Sequence, residues 1–219
     1  MSFDVVIFDW DGTLVDSVDH IADSLELAAR DLGYPARERE ALRHIVGLGM
    51  EEALGQLWPG ITREEMTRLR EVYAHYFFQR DTTPDDLFPG VSELVTSLHG
   101  GPTLAVATGK SRPGLDRALG SSGLERYFPL TRCANETASK PDPLMLRQIV
   151  SETGVAVERM VMVGDTIYDM EMARRIGMPA IGVTWGVHSQ EQLSGHSPVA
   201  IASDIFKLRE LMAPISTDQ

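Results

Sequence analysis

Residues 5–13 read Val5-Val6-Ile7-Phe8-Asp9-Trp10-Asp11-Gly12-Thr13. A short apolar run, mostly β-branched, gives way at once to carboxylates and a glycine, the pattern of a buried strand entering a sharp turn. Leu104 to Ala107, Met160 to Val163 and Ala180 to Val183 repeat the form, and Val199 to Ala202 adds a fifth strand. Helical stretches follow at Arg112 to Ser121, Ile167 to Ile176 and Ser189 to Leu193. Another runs from Pro141 and Pro143 to about Thr153, and a closing helix starts at Asp204. Proline suits a first helical turn, where its missing N–H has no partner to lose. Alternating strands and helices predict an α/β fold, a Rossmann-like doubly wound parallel sheet with right-handed crossovers.

The first strand breaks the rhythm, because about seventy residues of helical sequence precede the second. Ile21, Leu25, Ala28 and Leu32 recur at helical spacing and Gly33 stops that segment. Arg63 to Arg80 repeats the pattern through Met66, Leu69, Val72, Tyr73 and Tyr76, and the loop Val46-Gly47-Leu48-Gly49-Met50 opens a short helix between them. A second boundary falls at Thr83-Pro84-Asp85-Asp86-Leu87-Phe88-Pro89-Gly90. The expected organisation is a core of residues 1–15 and 87–219 carrying a helical cap domain of residues 16–86 on two linkers, able to hinge over the sheet.

The 219 residues carry 20 Lys plus Arg against 32 Asp plus Glu, a net charge of −12, with 43% hydrophobic and 24% charged residues. That composition is globular and excludes a disordered or fibrous chain. An acidic chain without a basic tract lacks the footprint for nucleic acid and is repelled by anionic lipid, so no nucleic acid and no membrane partner is expected. Cys133 is the only cysteine, which excludes an intramolecular disulfide. No apolar run approaches the roughly 20 residues of a membrane span. The expectation is a soluble cytoplasmic protein, monomer or homodimer.

Asp9 and Asp11 lie beyond the carboxyl end of a strand, where open parallel sheets bind ligands. Alternation puts them on one side, and two such carboxylates divide labour, one attacking and the other moving protons. A calcium loop also begins Asp-x-Asp, but its glycine and glutamate would fall where this chain has Leu14 and His20. In Gly164-Asp165-Thr166-Ile167-Tyr168-Asp169, Asp165 ends a strand and Asp169 follows one helical turn on, an arrangement that helix capping alone also produces. If the two pairs converge, four carboxylates with at most one lysine demand a cation. A hard divalent ion fits, and Mg2+ suits oxygen ligands better than zinc, for which no Cys/His cluster exists. Thr108 ends a strand, and Lys140 is one of only three lysines, with Lys110 and Lys207. A hydroxyl and an ammonium at the same sheet edge would hold phosphate oxygens.

The set Asp9-x-Asp11-Gly12-Thr13, Thr108, Lys140-Pro141 and Gly164-Asp165-x-x-x-Asp169 resembles the haloacid dehalogenase superfamily of aspartyl-nucleophile hydrolases. The segments 8–17, Val46 to Gly49 and Phe88 to Val91 are most similar to its phosphoglycolate phosphatase branch. The resemblance implies a Mg2+-dependent phosphatase acting on a small phosphorylated metabolite, phosphoglycolate being the first candidate. Asp9 would form an aspartyl-phosphate, and Asp11 would protonate the leaving alcohol and then activate water. Thr108 and Lys140 would bind the phosphoryl group. The metal would be held by Asp9, the carbonyl of Asp11 and Asp165, with Asp169 orienting that shell. Gly109 stands where the family usually has Asn, beside Lys110. Arg43, His20, His44, the Gly47 to Gly49 loop, Lys110 and Arg112 are the candidates for contacting the leaving group, and Trp185 and His188 for lining the site. Asp11 argues against dehalogenation, and the absence of lysine from residues 16–86 excludes Schiff-base chemistry there. A phosphomutase of the β-phosphoglucomutase type, an inorganic pyrophosphatase, and a phosphoacceptor or binding scaffold remain as alternatives.

Overall fold

The computed structural model describes residues 3–80 and 83–212, so residues 1–2, 81–82 and 213–219 of the two expected domains lie outside it. The chain starts with β1 (Val5–Phe8). It continues through four helices, α1 (Val18–Asp31), α2 (Arg39–His44), α3 (Met50–Leu57) and α4 (Arg63–Phe77), and then α5 (Val91–Leu98). From there the elements alternate: β2 (Thr103–Thr108), α6 (Arg112–Ser122), β3 (Leu130–Cys133), α7 (Leu144–Thr153), β4 (Met160–Gly164), α8 (Ile167–Arg174), β5 (Ala180–Val183), α9 (Gln190–Ser194), β6 (Ala200–Ala202) and α10 (Ile205–Met212). All strand pairings are parallel, in the order β3-β2-β1-β4-β5-β6. This is the expected doubly wound α/β sheet, with six strands among the described residues rather than five. The additional strand, Leu-Thr-Arg-Cys, lies at the sheet edge and three of its four residues are only half-buried, so its sequence has no apolar run.

Strand alternation divides the core between the two faces of the sheet. Val6 and Phe8 of β1 join Val161 and Val163 of β4 in one cluster, closed by α5, α6 and α10. Val5 and Ile7 join Met160 and Met162 in another, closed by α7 and α8, where Met170, Met172 and Met178 are also buried. Cys133 is buried at the end of β3, and that burial pushes its thiol up to about 12. None of the described helices is long and apolar enough to cross a membrane.

Helices α1 to α4 share a third cluster, in which Ile21, Leu25 and Ala28 of α1 meet Leu42, Leu54, Leu57 and Leu69. The turn after α1 is closed by Gly33 at φ +74°, and α4 begins with a reciprocal cap between Thr62 and Glu65. Leu69 has no exposed surface and anchors α4 against this cluster. Truncating it in a Leu69→Ala variant should cost about 2–5 kcal/mol in urea denaturation; a loss below about 1 kcal/mol would contradict the packing.

Candidate active site

The strand order reverses between β1 and β4, so the loops leaving those neighbouring strands part and open a crevice at their carboxyl ends. Register places Phe8 beside Val163, and the Asp9 N–H donates to the Val163 carbonyl at 2.9 Å. Asp9 therefore emerges directly beside Asp165. Gly12 turns the chain back at φ +78°, and a Cβ there would collide with the Asp165 carboxylate, so glycine is required by both conformation and space.

Each acid is held differently. Asp165 accepts from the Thr13 hydroxyl on Oδ1 (2.7 Å) and from the Val187 N–H on Oδ2 (2.8 Å). Asp169 closes the cap of α8, accepting on Oδ2 from the Thr166 hydroxyl (2.6 Å) and N–H (3.2 Å). The Lys140 ammonium, fully buried, lies 2.7 Å from Asp169 Oδ1 and 2.8 Å from Asp9 Oδ1, while the Trp10 N–H donates to that same Asp9 oxygen at 2.7 Å. Asp9 Oδ2 is buried with no hydrogen-bond partner among the described residues.

Ligand oxygens of Asp9, Asp165 and Asp169 lie within 4.8 Å of one another. Three carboxylates against one ammonium leave an excess of two negative charges in a water-poor site. Burial pushes the Asp9 carboxyl well up, with Lys140 opposing and Asp169 and Asp165 adding to the rise. Burial followed by repulsion from Asp169 pushes Asp165 up to about 7. Burial alone would lower the Lys140 ammonium, but the Asp169 and Asp9 carboxylates outweigh it and hold it charged. An uncompensated cluster of buried carboxylate oxygens fits a hard divalent cation.

Asp11 sits to one side of this cluster. Its Oδ1 accepts from the Ser17 hydroxyl (2.6 Å) and pairs with the Lys110 ammonium (3.0 Å). Lys110 thus braces an acid of the first motif, a partnership invisible in sequence order. Thr108 is buried at the end of β2 and its hydroxyl accepts from the Lys110 N–H at 3.2 Å. A Cβ on Gly109 would run into the carbonyls of Gly47 and Leu48, so glycine here lets the helical segment's loop lie directly on the sheet edge.

Further links join the same two parts. The Gly49 N–H donates to Ser139 Oγ at 2.8 Å. The Ile167 N–H donates to His188 Nδ1, so His188 carries its proton on Nε2 and donates to His44 Nδ1 at 2.8 Å. Burial, and then His44, push the His188 imidazole down to about 4. Trp185 Nε1 donates to the Thr13 carbonyl at 3.1 Å, bracing the first turn. The other candidates lie elsewhere: Arg43 pairs with Asp19 on the surface of α1, His20 donates to the Phe77 carbonyl (3.0 Å), and Arg112 binds Glu136 and Thr131. The sequence alone does not single out the braces from Thr13, Ser17, Thr166 and the Val187 N–H. The hydroxyls sit inside or beside the two Asp motifs, which is a usable signal; a backbone N–H leaves none.

The family described as haloacid dehalogenase-like hydrolase matches residues 6–183. A protein of Dickeya dadantii named "Probable phosphatase IndB" is 40% identical over 202 residues, covering 90% of this chain and 88% of that one. A phosphoglycolate phosphatase of Vibrio parahaemolyticus is 29% identical over 95% of this chain and 96% of its own. A haloacid dehalogenase-like family hydrolase from Streptococcus pneumoniae shares the fold at a TM-score of 0.81, with 22% identity, 96% of this chain and 99% of that one covered.

The raised Asp165 carboxyl makes stability depend on pH. A folded-state value near 7 against an unfolded value of about 3.9 favours the protonated fold, so that contribution is complete at low pH and lost as pH rises through 7. In chelator, stability should fall by on the order of 3 kcal/mol between about pH 5 and pH 8, and Asp165→Asn should flatten the slope. Denaturation curves with no such dependence in the unsubstituted chain would contradict the electrostatics.

Proposed function

The chain belongs to the haloacid dehalogenase-like hydrolase family, and from that premise we propose that it is a Mg2+-dependent phosphatase of a small phosphomonoester. The observation that carries this reading is Asp9: one oxygen is pinned by Lys140 and the Trp10 N–H, and the other is buried without a partner. Such an oxygen, pre-aimed and stripped of water, is built to attack.

Asp9 Oδ2 takes the phosphoryl group as an aspartyl-phosphate. Lys140, held charged between two carboxylates, and the Thr108 hydroxyl at the neighbouring strand end bind its non-bridging oxygens. Asp11 protonates the departing alkoxide and afterwards takes a proton from the water that hydrolyses the acyl phosphate. Ser17 and Lys110 fix its Oδ1, which leaves the other oxygen to carry the proton. Asp9, Asp165, the carbonyl of Asp11 and, directly or through water, Asp169 would hold Mg2+, which when bound supplies the positive charge that the acid cluster lacks and draws phosphate oxygen to it.

Residues 16–86 act as a cap domain closing on the core of residues 1–15 and 87–219, with the Gly47 to Gly49 loop and the His44–His188 contact as the meeting points. The relatives named phosphoglycolate phosphatase make phosphoglycolate the first ester to assay. With p-nitrophenyl phosphate, hydrolysis should require added Mg2+, and Asp9→Asn should lower kcat at least about 1,000-fold. Turnover undiminished by chelator, or an Asp9→Asn enzyme near full activity, would overturn the proposal.

A further inference from the structure

A cavity of about 150 Å³ opens between the helical segment and the sheet edge, bordered at one end by Asp11 and Lys110. Much of its wall comes from two helices at helical spacing. Ile21 and Leu25 of α1, four residues apart, line it together with Tyr73, Ala74 and Phe77 of α4, and Leu48 of the loop and Ala53 of α3 are among the rest of the lining. The Lys110 ammonium lies 3.0 Å from Asp11 Oδ1 and 4.8 Å from the centroid of the Phe77 ring. The remaining charged residue on the wall, Arg70, is exposed on α4.

The leaving group must reach Asp11 to receive its proton, which places its carbon frame in this cavity. A carboxylate on that frame would lose its water against the apolar side chains of α1 and α4, whereas an apolar ring would gain by burial. A volume near 150 Å³ is the size of apolar cavity that holds a single benzene ring. Resting on the assignment of Asp11 as proton donor, we infer that the substrate is the phosphate ester of an alcohol bearing one apolar ring, and that α1 and α4 select against short carboxylated esters such as phosphoglycolate.

The test compares kcat/KM of the full chain with Mg2+ for benzyl phosphate, methyl phosphate and phosphoglycolate. Benzyl phosphate should exceed both others by at least about tenfold. Ala74→Phe, which fills the cavity from α4, should reduce the benzyl-to-methyl ratio by at least about tenfold. A smaller benzyl preference in the unsubstituted enzyme, or any preference for phosphoglycolate, overturns the inference whatever the variant does, and so does an unchanged ratio in a folded Ala74→Phe enzyme. p-Nitrophenyl phosphate, whose leaving group needs no proton donor, separates the two levels. Absence of Asp9-dependent hydrolysis of that ester defeats the phosphatase reading itself, whereas its hydrolysis together with a preference for phosphoglycolate defeats only the substrate class.

Discussion

Lys140 is an ammonium with no exposed surface, placed between Asp9 and Asp169. A charge so buried persists only where its partners are fixed, and here each partner is fixed by something else: Asp9 by the end of β1 and the Trp10 N–H, Asp169 by the cap of α8. The pair of contacts ties the loop before α7 to the end of β1 and the first turn of α8. It also divides the two oxygens of Asp9, occupying one and leaving the other free. Removing the ammonium would leave three carboxylates with no cation among them, so the lysine is a condition of the site's existence.

The sheet makes this possible by topology. Neighbouring parallel strands that end together deliver Asp9 and Asp165 side by side, and β2 on the other flank delivers Thr108. No helix needs to carry a nucleophile. The helical segment supplies the opposite wall through Gly47 and Leu48, whose carbonyls come so near Gly109 that a side chain there would separate the two parts. Asp11, braced by Ser17 and Lys110, borders the apolar cavity, and the proton transfer proposed for it draws on that position.

Much of this is readable in the chain. Val5 to Phe8 and Met160 to Val163 announce buried strands because both faces of the sheet are covered and every position is apolar, and the acids that follow them are therefore at strand ends. β3 is silent because an edge strand with half-buried residues needs no apolar run. The burial of Lys140 is also silent, since a lysine in a loop is ordinarily solvated. Arg43 and Lys110 show the limit of residue type as a guide: both are cations near motifs, yet the fold turns one outward to Asp19 and the other inward to Asp11. Ile21 and Leu25 read as a core stripe, and do pack in the helical core, while their other side lines the cavity.

The central claim is that the free oxygen of Asp9 receives the phosphoryl group. An Asp11→Asn enzyme given p-nitrophenyl phosphate and Mg2+ should release nitrophenol but hydrolyse its acyl phosphate slowly, so acid quenching followed by peptide mass mapping reads the acceptor directly. The expected result is one phosphoryl group per chain, on Asp9. Phosphate on any other residue, or nitrophenol released with no phosphorylated Asp9 at any quench time, would contradict it.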